Sequence, residues 1–259
     1  CGTYDFRKGM VGNAMKENRL KCLNALSLKL LAMALMLCDH LWATVVPGNN
    51  WLTAVGRLAF PIFAYQVAEG FFLTHNRKKY LGRMFVFALI SEIPFNLLYY
   101  SSVVFPFHQN VMFTFCLAIL LMMALERAKS KGPVVFSLSA AACVALGMLL
   151  GQLTMVDYYG SGVVTVLVFY LCRGRSWGPL GELAGLIVLN CYLLGGMMMP
   201  VTLLGHTFEI SEQGLAVLAL IPIWLYNGKQ GPHSRALQYA CYAFYPLHML
   251  VLALMRMYL

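Results

Sequence analysis

Apolar residues run along this chain in long blocks, and the polar positions gather between them. The blocks cover residues 26–46, 51–73, 80–99, 111–125, 134–153, 158–172, 180–204, 213–226 and 237–258. An α-helix rises 1.5 Å per residue, so about 20 apolar residues cross a hydrocarbon core of roughly 30 Å. Most of the blocks meet that length, although 158–172 is short and 180–204 is long. The pattern predicts an all-α polytopic membrane protein with about nine transmembrane helices, eight and ten being the neighbouring counts. Residues 23–259 form a single transmembrane helical domain in this reading, preceded by a tail at 1–22.

Charge orients that array. The connections at 47–50, 101–110, 152–157 and 205–212 hold no Lys or Arg. The alternate connections hold Arg77, Lys78 and Lys79, then Arg127, Lys129 and Lys131, then Arg173 and Arg175, then Lys229 and Arg235. Basic loops stay in the cytoplasm, which places the N-terminus and the tail with Arg7, Lys8, Lys16, Arg19 and Lys21 inside and the C-terminus outside.

Composition agrees with a bilayer and excludes several other classes. The 259 residues are 60% hydrophobic and 11% charged, with a mean hydropathy of +0.70, whereas an average soluble domain carries about 25% charged residues. The formal charge of +9 sits in short inter-helix loops, so it reads as an orientation signal, and no nucleic-acid partner is expected. Eight cysteines are scattered without a CxxC pair or a Cys/His ligand spacing. No metal site is indicated, and most of these thiols fall inside apolar blocks, where Cys packs as a small hydrophobe.

The candidate chemistry lies in the polar residues the apolar blocks contain. An ionisable group at the centre of a spanning helix costs about 2.5–3.5 kcal/mol on insertion scales, which makes such groups functional candidates. Asp39 and His40 stand side by side late in the first block, Arg57 early in the second and Glu92 late in the third. The predicted topology puts His40, Arg57 and Glu92 in one layer roughly 10 Å below the outer surface, where they are expected to turn inward and pair. His248 falls deeper, near mid-membrane, two residues after Pro246. Neighbours on a helix point about 100° apart, so Asp39 is placed to hold Arg57, which leaves Glu92 or His248 to orient His40. Structural glue is the competing explanation for this set. Glu69, Arg83 and Glu182 fall near the inner surface, where snorkelling accounts for them.

At LKLLAMALMLCDH, GRLAFPIFAYQVAEGFF, KKYLGRMFVFALISEIPF and the N-V-M-F-T of Asn110 to Thr114, the chain resembles the TraX family of integral-membrane proteins. The named member of that family is associated with N-terminal acetylation of conjugative pilin. A fainter likeness reaches a wider superfamily of membrane acyltransferases, whose first helix often carries Arg, then Ala three residues on and His eleven residues on. Lys29, Ala32 and His40 keep that spacing, with Lys in place of Arg.

The resemblance implies an acetyltransferase of the bacterial cytoplasmic membrane, multi-pass, with the lipid bilayer, acetyl-CoA as acyl donor and an extracytoplasmic peptide or glycan as partners. His40 is then the expected general base, with Asp39, Glu92 and His248 around it. Arg57 and Asn110 are the expected acceptor-binding residues. Eleven residues are just over three turns, so Lys29 and His40 share a helix face about 16 Å apart along the axis. That line runs from a cytoplasmic cluster of Lys29, Arg77, Lys78, Lys79 and Arg83, suited to CoA phosphates, up to the reaction layer. A proton-coupled transporter or flippase using Asp39, His40 and Glu92 as a relay is the alternative.

Overall fold

The computed structural model describes residues 21–203 and 205–258. Apart from Lys21 and Cys22, the predicted tail lies outside the described residues. Among the described residues ten α-helices run in order: α1 (Ala25–Thr44), α2 (Asn50–Gly56), α3 (Ala59–Leu73), α4 (Arg77–Tyr100), α5 (Val111–Lys129), α6 (Pro133–Leu153), α7 (Tyr159–Cys172), α8 (Gly178–Ile187), α9 (Leu220–Trp224) and α10 (Arg235–Tyr258). Five of them, α1, α4, α5, α6 and α10, are long and apolar enough to cross a membrane. The predicted membrane-helical class therefore holds, with four of the nine apolar blocks taking shorter or broken forms.

Each departure has a local cause. The block at 51–73 splits into α2 and α3 because Pro61, third in α3, has no N–H to give the carbonyl of Arg57, and the helix breaks beside that residue. The block at 180–204 ends early. After α8 the chain widens into a π-helical stretch, Val188–Leu193, and then Gly195 and Gly196 take φ of +63° and +116°, left-handed values that stop a helix. Beyond them lies a two-stranded antiparallel hairpin, β1 (Met198–Leu203) and β2 (His206–Ser211), paired from Met198 with Ser211 to Leu203 with His206. The helical class of the chain holds, and this hairpin is the local departure from it: the run of Thr207, Phe208 and Ile210 favours strand. The block at 213–226 becomes a 3-10 helix, Glu212–Ala219, that hands over to α9.

Side-chain caps start the main helices. The Asn24 side chain accepts from the amide of Ser27 at 2.9 Å, Asn76 from Lys79 at 2.9 Å and Asn110 from Met112 at 3.0 Å, each satisfying an amide that the helix leaves orphaned. The chain before α1 is also tied down, with Leu23 donating to Leu225 at 3.0 Å and accepting from Asn227 at 2.8 Å.

Helix α7 lies at the centre, against α3, α5, α6 and α8, and most of its residues are buried. Its shortness follows from that position, since a helix enclosed by others needs no lipid-facing length. Gly151 and Gly160 let α6 and α7 touch: a Cβ on Gly151 would come 2.5 Å from the Cα of Gly160. Helix α10 packs on α4 and α1, where Met36, Phe95, Leu98, Tyr245, Met249 and Leu252 form a second apolar cluster. These three helices position the site.

Candidate functional site

The two intramembrane histidines meet. His40 on α1 and His248 on α10 are 9% and 8% exposed, with His40 Nδ1 2.8 Å from His248 Nε2. His248 Nδ1 lies 2.7 Å from the carbonyl oxygen of Phe244, one turn back on α10. That carbonyl can only accept, so His248 carries its proton on Nδ1 and, in the neutral pair, receives a hydrogen bond at Nε2 from His40 Nδ1. The chain of donors leaves His40 Nε2 with a free lone pair and no hydrogen bond among the described residues. This is the arrangement a general base needs: a basic nitrogen whose tautomer and ring orientation are fixed from behind. Phe244 stacks on His248 at 4.7 Å between centroids, and Tyr99 meets His40 edge-on at 5.8 Å.

Two placements differ from the sequence expectation. His248 is level with His40 and not deeper, because the position of a residue along an apolar block does not record where one helix sits against another. Glu92 shares no hydrogen bond or ion pair with His40 or Arg57. Its carboxylate accepts from the Asn110 side chain at 2.5 Å and from the Asn110 amide at 3.3 Å. Asn110 in turn donates to the Ala88 carbonyl at 2.8 Å. Glu92 and Asn110 thereby join α4 to the start of α5, and the relay of Asp39, His40 and Glu92 is not connected.

Asp39 and Arg57 do come together. Thr53 Oγ1 donates to Asp39 Oδ1 at 2.9 Å, Arg57 Nη2 donates to Thr53 Oγ1 at 2.8 Å, and the charges themselves are 3.8 Å apart. Gly56 makes room for this, as a Cβ there would lie 2.5 Å from Asp39 Cβ. Arg57 Nε also faces Glu212 Oε1 at 3.5 Å. Sequence reasoning left Glu212 in an outer loop and missed it, yet it is 3% exposed. It missed a further cluster at the same end, where His108 meets the Tyr100 hydroxyl at 2.5 Å and Asp157 at 3.5 Å. A His and an Asp in two of the four Lys- and Arg-free connections were the available signal.

Below the histidines a cavity of about 640 Å³ runs between α1, α3, α4, α5 and α10 toward the end of the bundle that carries Leu23 and Tyr226. Lys29, Met33 and Met36 line it along one stripe of α1 that continues to His40. Of the five expected donor-side cations, Lys29 and Arg83 line this cavity. Arg77 is engaged elsewhere, 3.0 Å from Glu126, which also accepts from Tyr170 at 2.6 Å and pairs with Lys129. Lys78 lines a separate, shallower depression beside Gln109 and Phe113, and Lys79 lines neither. Glu69 is held by Arg173 at 2.7 and 2.9 Å, and buried Glu182 accepts from Trp224 at 2.8 Å. Both are paired, where snorkelling was expected. Among the described residues no group of His, Cys, Asp and Glu could hold a metal ion.

Fold and site together define a helical integral-membrane protein with a paired-histidine centre at the head of a cavity that opens at the opposite end of the bundle. The family model described as TraX protein matches residues 25–256, and the chain belongs to that family. A relative from Dichelobacter nodosus, named "Probable fimbrial assembly protein FimC, serogroup H1", is 28% identical over 254 residues, covering 91% of this chain and 97% of the relative. No solved structure matches.

Proposed function

We propose that the protein is a membrane-embedded acetyltransferase that takes an acetyl group from cytoplasmic acetyl-CoA and delivers it to an amine or hydroxyl of an extracytoplasmic acceptor, such as an exported peptide of the pilin kind or a surface glycan. The single observation that carries this is the free Nε2 of His40, held by His248 one turn beyond a cavity that Lys29 and Arg83 line together with Glu69, whose charge Arg173 offsets. In the reaction His40 Nε2 takes the proton that the acceptor loses as its nitrogen or oxygen attacks the thioester carbonyl. His248 stabilises the imidazolium that results, its own orientation set by the Phe244 carbonyl. Lys29 and Arg83 hold the donor's phosphates, and the apolar upper cavity takes the pantetheine arm. Membership of the TraX family and the fimbrial relative support an acceptor of the exported-peptide class.

The orientation belongs to the same proposal: nine crossings in the cytoplasmic membrane of a bacterium, with the N-terminus inside and the cavity mouth facing the cytoplasm. In a cysteine-free background, a membrane-impermeant thiol reagent is expected to reach Ser130→Cys only from the cytoplasm and Asn49→Cys only from outside. Labelling of Asn49→Cys from the cytoplasm overturns the orientation.

Acetyl transfer is tested with purified protein in sealed vesicles, with labelled acetyl-CoA on the cavity side and a peptide acceptor on the other. Acetylated peptide supports the proposal, and pH-driven flux of a surface precursor without any donor would put a transporter in its place. The donor contacts have their own test. Lys29→Ala with Arg83→Ala is expected to raise the acetyl-CoA concentration required by about tenfold, since two charge-assisted contacts are lost, and to flatten its salt dependence. Arg77→Ala, which breaks the pair with Glu126, is expected to leave that requirement unchanged. Equal effects of the two variants would remove the cavity mouth as the donor site.

A further inference from the structure

The cavity stops one helical turn short of the histidine pair. Met36 precedes His40 by one turn on α1, and Phe244 precedes His248 by one turn on α10. Both line the cavity, together with Tyr245, whereas neither histidine does. A thioester lying in the cavity is therefore separated from His40 by a layer made of Met36, Phe244 and Tyr245. Phe244 occupies two roles in that layer. Its ring stacks on His248 with planes 12° apart, and its carbonyl accepts from His248 Nδ1.

The backbone around Phe244 is one helical hydrogen bond short. Pro246 stands inside α10, and without an N–H it gives nothing to the carbonyl of Tyr242, one turn below, so the turn that carries Phe244 lacks one rung of its ladder. A rotation of this turn displaces the ring from the cavity head and shifts the carbonyl that fixes the tautomer of His248. Opening and reorientation of the histidine pair are thus one event.

We propose that Phe244 is the gate between the donor cavity and the histidine pair, closed in this conformation and opened by movement of α10 around Pro246. The proposal rests on the reading of the cavity as the donor site. Its consequence for the chemistry is protection of the donor. With the gate shut, water cannot use the histidine pair to attack the thioester, and active-site closure of this kind suppresses such side reactions. With the gate removed, a water oxygen adds to the thioester carbonyl carbon, the C–S bond breaks, acetate forms, and the CoA sulfur takes up a proton.

The gate is tested first without any catalysis. Tyr99 lies beyond the gate, edge-on to His40, so Tyr99→Cys in a cysteine-free background reports on passage while leaving the histidine pair in place. A membrane-impermeant thiol reagent supplied from the cavity side is expected to label Tyr99→Cys at least about tenfold faster when Phe244→Ala is added. Met33→Cys, inside the cavity, labels equally in both backgrounds and reports a folded cavity. Phe244→Leu, a smaller volume change, is the substitute if Phe244→Ala does not fold, with the same expectation. Equal labelling of Tyr99→Cys with and without the gate substitution overturns the proposal. Failure of acetyl transfer in every variant, wild type included, bears instead on the enzyme reading, because the labelling result does not depend on it. In an active wild-type protein, Phe244→Ala is further expected to release acetate from acetyl-CoA without acceptor about tenfold faster than the parent, and an unchanged rate counts against the gate.

Discussion

His40→Ala is expected to abolish acetyl transfer, by about a hundredfold or more per folded molecule, the range typical of a lost general base, while acetyl-CoA binding stays close to that of the parent. The argument is geometric. Donation runs from His40 Nδ1 to His248 Nε2 and from His248 Nδ1 to the Phe244 carbonyl, so a single ring nitrogen remains basic, and Ala removes it. His248→Phe is expected to have a smaller effect, because it keeps the base and loses only the group that orients it. The two variants also separate catalysis from packing. If the pair were structural glue, His40→Ala and His248→Phe would lower transfer only in proportion to the folded protein each one loses. His75→Ala, in an exposed connection, serves as the silent control. A folded His40→Ala protein that still transfers acetyl groups at the parental rate removes His40 from the mechanism.

Much of this site was legible in the sequence because one helix carries most of it. The 3.6-residue period puts Lys29, Met33, Met36 and His40 on one stripe of α1, and the structure lines the cavity with the first three and sets His40 one turn beyond them. The rule that neighbours on a helix diverge also placed Asp39 toward Arg57 and away from His40. What the sequence could not supply was azimuth on the partner helices. The pattern around Glu92 on α4 marks no single polar face, so depth alone put it in the layer of His40, whereas the cap of α5 draws it to Asn110. Depth misjudged His248 for the same reason. The hairpin was hidden differently. Residues 180–204 are mostly apolar, and the paired glycines at 195 and 196 and then Pro200 mark where helix gives way to strand. That misreading also concealed Glu212, since the residue was assigned to an outer connection when the end of the hairpin carries it into the core beside Arg57.

Arg57→Met is expected to destabilise the protein strongly, which decides between two roles for Arg57. The guanidinium lies between Asp39, at 3.8 Å, and Glu212, at 3.5 Å, and Glu212 Oε1 is buried with no hydrogen-bond partner. Without Arg57 two acidic groups share one poorly hydrated space, and removing one partner of a buried ion pair costs about 3–5 kcal/mol. For a chain of this size that corresponds to a fall of roughly 10 °C in melting midpoint. The cost arises from the stranded acids and not from the missing cation itself. Asp39→Asn and Glu212→Gln added to Arg57→Met should therefore recover most of the midpoint, since uncharged sets of similar volume replace buried ion clusters with little loss. Transfer activity then reports the second role. If the triple variant is both stable and active, Arg57 serves the fold by holding α2 and the start of the 3-10 helix against α1. If it is stable but inactive while still binding acetyl-CoA, the cluster acts on the acceptor. An Arg57→Met protein with an unchanged midpoint would show that water reaches both carboxylates, and the buried-cluster account of this end of the bundle would fall.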